Sequence, residues 1–139
     1  SAFDLAPGGY LISAVDAALE RLDDAFAVQE VKRTLLESGH HELDLQVSRL
    51  TVLLQGRIER KAGRRFARLK VWHRGYSHNQ VDKLCLRLGQ KLGPQDSFDL
   101  NELRSAEFKA SWGGYAENQV DAFIDRAVEL SQIKSVLAN

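Results

Sequence analysis

The sequence predicts a mainly α-helical fold: three turn-plus-helix units packed as a small helical bundle, with a long antiparallel helix hairpin. Any β structure is expected only in short loop segments. Three observations predict this fold. One sequence motif occurs three times, and apolar residues follow each occurrence at helical spacing. A glycine also divides a long stretch of helical pattern into two. A chain of 139 residues is expected to form a single domain over 1–139.

The repeated phrase reads "GYLISAVDAALER", "GYSHNQVDKLCLR" and "GYAENQVDAFIDR", and these are the first, second and third copies of the motif. In each copy Val-Asp and then Arg follow the tyrosine at constant spacing. A large apolar residue stands seven positions before each tyrosine, namely Phe3, Leu69 and Phe108. The copies are unevenly spaced, which excludes a solenoid of fixed period. The motif residues are Gly9, Tyr10, Val15, Asp16 and Arg21; Gly75, Tyr76, Val81, Asp82 and Arg87; and Gly114, Tyr115, Val120, Asp121 and Arg126.

Each copy predicts a turn followed by an amphipathic helix, in units of about 3–27, 69–93 and 108–132 with a helical insertion at 28–65. The Gly-Tyr pair is typical of a turn in which glycine supplies a backbone angle that other residues avoid. Apolar residues then recur at i, i+3, i+4 and i+7. In the second copy Ser77 predicts an N-cap, and Gln80 completes a capping box.

The motif residues are predicted to be structural. We expect the tyrosine rings to pack under the turn and to hydrogen-bond through their hydroxyls. The valines begin the apolar stripe, and the aspartates lie near the helix start, where negative charge is favoured. Asp and Arg of one copy are five residues apart and do not face each other on a helix. The arginines are therefore expected to pair with an acid of a neighbouring unit.

Between the first two copies the sequence predicts a helix hairpin. The first helix is expected to continue to Gly39, and a second helix follows at about 41–61. The run "LTVLL" within the second helix also fits a buried strand. Gly93-Pro94 is expected to end the helix of the second copy, and a short helix at about 100–107 leads into the third unit.

Charge is balanced overall, with 19 acidic and 19 basic residues, but residues 57–74 contain eight Arg or Lys and one acid. Interleaved Phe66 and Trp72 make this segment a candidate surface for phospholipid headgroups or for nucleic acid. The other interpretation is a solvated helix end and loop, balanced by the acidic first helix folding against it. Net acidic flanking stretches make nucleic acid the less favoured partner.

Catalytic and metal sites are not predicted. His40 and His41 adjoin Glu42, but sequence neighbours diverge on a helix, and the pair His73 and His78 lacks supporting ligands. The single cysteine, Cys85, lies on an apolar stripe, excludes an internal disulfide and fits a reducing compartment. We expect no cofactor, no metal and no enzymatic activity. The chain has no apolar run long enough to span a bilayer. Because it also lacks a starting Met, we expect a trimmed chain or a fragment of a longer protein.

The order of an aromatic residue, Gly-Tyr, Val-Asp and a helix resembles the N-terminal domain of DivIVA-type bacterial division and polar-growth proteins. The resemblance is closest to the actinobacterial proteins in which short DivIVA domains recur in one chain. The resemblance implies a cytoplasmic, non-catalytic scaffold that associates with itself or other proteins, such as a homodimer, and attaches peripherally to anionic membrane. The chain departs from the family in lacking a long heptad coiled coil.

In the family, an exposed apolar residue beside a base contacts the membrane in the loop before Gly-Tyr. By position the second copy has Trp72, His73 and Arg74 there; the third has Trp112, with Lys109 as its nearest base; the first has "APG", with neither. The predicted anionic-surface residues are Trp72, His73, Arg74, Arg64, Arg65, Arg68, Lys70 and Trp112.

Overall fold

The computed structural model describes residues 12–139, with side chains from residue 17 onward. Its elements in chain order are α1 (Ile12–Ser38), α2 (His40–Ile58), β1 (Arg74–Tyr76), α3 (His78–Gly89), α4 (Leu100–Arg104), β2 (Ala110–Trp112) and α5 (Glu117–Leu137). The predicted mainly α-helical class, with β structure only in short segments, is confirmed over this range.

The long hairpin consists of α1 and α2, joined at Gly39. Gly39 has a φ of 75°, in the left-handed region that glycine adopts without a Cβ penalty. The run "LTVLL" lies wholly inside α2, so the alternative interpretation as a strand is wrong. Leu50 and Leu54, four residues apart, are buried, whereas Val52 and Leu53 between them are exposed, which is the spacing of a helix and not of a strand.

The core is organised around α5, which packs against α1, α2 and α4, while α3 packs against α2. The helices α2, α3 and α5 bury the faces that the apolar stripes predicted. In α1 the prediction is wrong for Leu19, Leu22 and Phe26, which are more than half exposed. The core residues include Leu43, Leu50 and Leu54 of α2, Val81, Leu84, Cys85 and Leu88 of α3, and Val120, Phe123, Ala127, Leu130 and Ile133 of α5.

Several predicted boundaries differ from the observed ones. The helices α2, α3 and α4 end at Ile58, Gly89 and Arg104, earlier than expected. The prediction that the first helix continues to Gly39 is confirmed, since α1 is unbroken across positions 27–28 and ends at Ser38. The motif residues Gly9 and Tyr10, and the side chains of Val15 and Asp16, fall outside the described part.

The two short strands bring the second and third copies together. They pair antiparallel, with Arg74 opposite Trp112, Gly75 opposite Ser111 and Tyr76 opposite Ala110. Both strands lie at or immediately before a Gly-Tyr turn. The sheet is therefore the point at which one repeat unit meets the other.

Candidate functional site: paired Gly-Tyr turns and an exposed tryptophan patch

The Gly-Tyr turns of the second and third copies lie directly against each other. The Tyr76 N–H donates to the Tyr115 carbonyl at 3.0 Å, and the Tyr115 N–H donates to the Tyr76 carbonyl at 2.9 Å. A Cβ on Gly75 would stand 2.2 Å from the Tyr115 oxygen, and a Cβ on Gly114 would stand 2.4 Å from the Tyr76 oxygen. Neither glycine has a positive φ, so the predicted conformational reason is wrong. Close approach of two backbones requires glycine here.

The tyrosine of each copy hydrogen-bonds to the aspartate of the other copy. The Tyr76 hydroxyl donates to Asp121 Oδ1 at 2.8 Å, and the Tyr115 hydroxyl donates to Asp82 Oδ1 at 2.7 Å. The prediction that the tyrosines bond through their hydroxyls is confirmed for these two. Each copy supplies one donor and one acceptor, so neither copy completes its own motif.

The glutamine before Val-Asp in each copy, which was not among the predicted motif residues, also hydrogen-bonds to the other half of the pair. Gln119 Oε1 accepts from the Ala67 N–H at 2.8 Å, and Gln80 Oε1 accepts from the Lys109 N–H at 2.7 Å. The prediction of a capping box is therefore correct for Ser77 and wrong for Gln80. Ser77 caps α3 by accepting from the Gln80 N–H, but the Gln80 side chain bonds the other copy instead of returning to Ser77. The shared tetrapeptide "NQVD" at 79–82 and 118–121 was the available signal.

The apolar residue that precedes the second copy is Phe66 and not Leu69. The Phe66 ring packs edge-on against Tyr115 at 5.3 Å between centroids, and the Phe108 ring packs at a tilt against Tyr76 at 5.2 Å. Leu69 is only half-buried. Phe66 precedes its Gly-Tyr turn by three residues more than Phe108 does, so counting a constant seven positions selected the wrong residue. The extra residues lengthen the loop that carries Trp72.

The two Tyr–Asp bonds sit in different surroundings. Asp82 is buried, accepts from the Gly63 N–H at 2.8 Å and lies 3.0 Å from Nη1 of buried Arg65. Asp121 is exposed, and the residue before Phe108, equivalent to Arg65, is Glu107. One half of the pair is therefore a buried ionic cluster, and the other half is an open groove lined in part by Tyr76, Glu107 and Asp121.

Both phenols are held in their neutral form. Burial, followed by the hydrogen bond to Asp121, raises the pKa of Tyr76 to about 12. Burial and the hydrogen bond to Asp82 raise the pKa of Tyr115 to about 12 as well. A carboxylate acceptor stabilises the O–H and opposes a second negative charge beside it. These hydroxyls therefore act as donors that hold the fold and not as proton-transfer groups near neutral pH.

The motif arginines behave differently from one another. Arg87 Nε donates to Glu102 of α4 at 2.8 Å, an acid that lies between the second and third units and not in a neighbouring unit as predicted. Arg126 instead lies 3.2 Å from Glu129 within α5, where the prediction of a partner in a neighbouring unit is wrong. Arg21 is exposed on α1. Exposed pairs of this kind contribute little to stability.

An exposed aromatic and basic surface lies at the end of the sheet, and we call Lys70, Val71, Trp72, Arg74 and Trp112 the tryptophan patch. Trp72 and Trp112 are 64% and 59% exposed. The Arg74 guanidinium lies 4.5 Å from the Trp112 ring centroid, and Lys70 Nζ lies 5.4 Å from that of Trp72. Sequence reasoning assigned no adjacent base to Trp112, because Arg74 reaches it across the sheet from the other copy.

The other predicted anionic-surface residues divide by exposure. Arg64 and His73 are exposed. Arg68 is also exposed, but its Nε donates to the Gly113 carbonyl at 2.6 Å. Arg65 is wrong as a surface residue, because it is buried, donates to the Ile58 carbonyl and pairs with Asp82. Asp24 of the acidic helix α1 does not balance the charge of residues 57–74, because it pairs with Arg104 of α4.

Among the side chains of residues 17–139, no group of three His, Cys, Asp or Glu is arranged to hold a metal ion. Burial raises the pKa of the Cys85 thiol to about 12, which leaves it almost entirely protonated and a weak nucleophile at neutral pH. None of the helices in the same range is long and apolar enough to cross a bilayer.

Comparison of the chain with protein-family models, curated proteins and solved structures gave no match.

Proposed function

We propose that this chain is a non-catalytic scaffolding and interaction module of the DivIVA type, acting in cell division or polar growth and contacting anionic membrane peripherally through the tryptophan patch. The observation that carries the membrane contact is the pairing of two exposed tryptophans with cations at one end of the sheet. Tryptophan is favoured at the membrane interface because its ring is apolar and its N–H is polar.

Charge supports the same surface. Lys70 and Arg74 lie over the tryptophan rings and are exposed, so they can approach headgroups as the rings insert. Each basic residue near an anionic surface contributes about 1 kcal/mol. Nucleic acid is less supported as a partner, because Arg65 is buried in an ion pair and Arg68 is partly occupied by backbone acceptors.

The test is co-sedimentation with phosphatidylglycerol-rich vesicles, using Trp72→Ala/Trp112→Ala and Lys70→Gln/Arg74→Gln double variants. We expect vesicle binding by the unaltered chain and a loss of roughly 30-fold for the charge variant, which corresponds to two residues at about 1 kcal/mol each. The matched control is Leu36→Ala/Val52→Ala, which removes exposed apolar side chains elsewhere and should bind normally.

Equal binding by the control and by both patch variants would contradict the membrane contact. A salt-dependent shift of labelled DNA or RNA, with no vesicle binding, would favour the nucleic-acid alternative instead. Phosphatidylcholine vesicles should bind much more weakly, because they lack the negative surface charge.

A further inference from the structure

The helices of the second and third copies each border a groove at equivalent motif positions. Residues 102–108 form the other wall of the groove beside α3, and α3 contributes Gln80, Lys83, Leu84 and Arg87. Helix α2 forms the other wall of the groove beside α5, and α5 contributes the matching residues Gln119, Ala122, Phe123 and Arg126. We call this second groove the α2–α5 groove. The repeat therefore provides two corresponding grooves that differ in their opposite walls.

The two grooves differ in charge. The charged residues that line the groove beside α3 are two bases and two acids, namely Lys83, Arg87, Glu102 and Glu107. The motif arginine is neutralised there, since Arg87 Nε donates to Glu102 at 2.8 Å. The α2–α5 groove is lined by Arg57 and Arg126, and none of its described lining residues is acidic. The wall that supplies a carboxylate to one motif arginine supplies a second cation to the other.

Arg57 is held in place by its neighbours but lacks a counter-charge. Its Nη1 donates to the Arg65 carbonyl at 3.0 Å, and its guanidinium lies 5.2 Å from the centroid of the Phe66 ring. No carboxylate of residues 17–139 forms an ion pair with it. Burial, followed by repulsion from Arg60, lowers the pKa of Arg57. An anion beside this half-buried cation would therefore be favourable.

Arg126 is open to a ligand. Its Nε lies 3.2 Å from Glu129 one turn later in α5, and the two side chains are 50% and 45% exposed. An exposed pair within one helix is weak, because water screens both charges. A second carboxylate can therefore bind Arg126 at little cost.

The rest of the α2–α5 groove is apolar or carries amides. Buried Phe123 and the 52% exposed Leu53 line it, and so do Asn118 and Gln119 in the first turn of α5, where the helix dipole favours negative charge. The groove has a volume of about 400 Å³, which is more than a single inorganic anion fills. It therefore suits a carboxylate that is attached to apolar groups.

We infer that the α2–α5 groove binds an acidic peptide segment of a partner protein, in which one Glu or Asp carboxylate pairs with Arg57 and Arg126 and an adjacent apolar side chain covers Leu53. The two guanidinium groups select a carboxylate, and the exposed leucine favours a peptide over a free anion. This inference rests on the proposed role as an interaction module but not on the membrane contact, which uses the tryptophan patch.

The experiment is selection of heptapeptides on the immobilised chain from libraries whose central position is fixed as Glu, Asp, Gln, Asn or Lys. We expect enrichment of Glu or Asp peptides with an apolar residue next to the acid. The best peptide should bind about tenfold more weakly to Arg57→Gln and to Arg126→Gln, because each variant loses a charge-assisted hydrogen bond. Arg87→Gln is the matched control at the same motif position of the second copy, and it should bind the peptide normally.

NMR of the arginine Nε–Hε groups locates the peptide. The signals of Arg57 and Arg126 should shift when the selected peptide is added and should stay in place with inorganic phosphate at the same concentration. No selection for an acid, equal losses of affinity in Arg87→Gln and Arg126→Gln, or equal shifts with phosphate alone would each overturn the inference. Arg126 is exposed, so its variant should keep the circular dichroism of the unaltered chain and its vesicle binding, and the two proposals fail separately.

Discussion

Asp82 and Asp121 occupy the same motif position and accept the same kind of hydrogen bond, yet their surroundings differ. Asp82 is buried against Arg65, whereas Asp121 faces solvent. Removing one partner of a buried ion pair leaves an uncompensated charge, which costs much more than losing an exposed hydrogen bond. The repeat therefore offers two equivalent residues for which only the environment differs.

We expect Asp82→Asn to lower the free energy of unfolding by about 3 kcal/mol, because buried Arg65 loses its counter-charge. Asp121→Asn should lower it by only about 1 kcal/mol, the usual contribution of one hydrogen bond. Urea denaturation of the two variants measures both values. Equal losses would show that the ionic cluster around Asp82 is not formed.

The raised pKa values of Tyr76 and Tyr115 predict alkaline unfolding. Their folded pKa of about 12 exceeds the ordinary value of 10, so the stabilisation is complete below pH 10 and is lost as pH rises through about 12. In a Tyr10→Phe variant only these two tyrosines remain, since the chain has three. We expect their tyrosinate absorbance to appear only near pH 12. Titration with a midpoint near pH 10 would mean that the hydroxyls are free.

At the scale of elements, the helices were predictable and the contacts between copies were not. Apolar spacing and Gly39 were sufficient for α1, α2, α3 and α5, because helical periodicity is a local property of the sequence. Pairing of β1 with β2 depends on which segments meet in space, and three-residue strands carry little local signal. The equivalence of Phe66 with Phe108 could not be predicted for the same reason, because it appears only when the hydrogen-bonded neighbours of the two residues are compared.

The candidate site was predictable to a similar degree. Trp72 and Arg74 were found because they are neighbours in sequence, and their exposure fits the prediction. Arg65 was misassigned because a basic run does not reveal which member reaches a buried carboxylate 17 positions later. The base beside Trp112 was missed because it belongs to another strand.

The turn pair makes a direct prediction for glycine substitutions. Gly75→Ala or Gly114→Ala forces a Cβ into an opposing carbonyl, and we expect a loss of at least about 1–3 kcal/mol in the free energy of unfolding. Gly56→Ala is the matched control, because this glycine lies inside α2 with open space around its Cβ position. Alanine there should stabilise by roughly 0.5–1 kcal/mol. Denaturation curves that rank the three variants differently would contradict the close approach.

At the scale of the whole molecule, the second and third copies of the motif complete each other's hydrogen bonds, and the α1–α2 hairpin supports them. Tyr76 and Tyr115 bond to each other through their backbones and to each other's aspartates through their hydroxyls. The described bundle therefore has an internal pair, on which the tryptophan patch is built, and a first helix whose apolar stripe faces outward. Membrane contact is proposed for the tryptophan patch.

Native-state amide hydrogen exchange, followed residue by residue by NMR, tests the pairing of the second and third copies most directly. The N–H groups of Tyr76, Ser77, Tyr115 and Ala116 bond only across the two copies or to the segments that precede them. We predict that these four amides exchange as slowly as the core of α5, because they are released only when the copies separate. Fast exchange of these amides, with α2 and α5 still protected, would contradict the account.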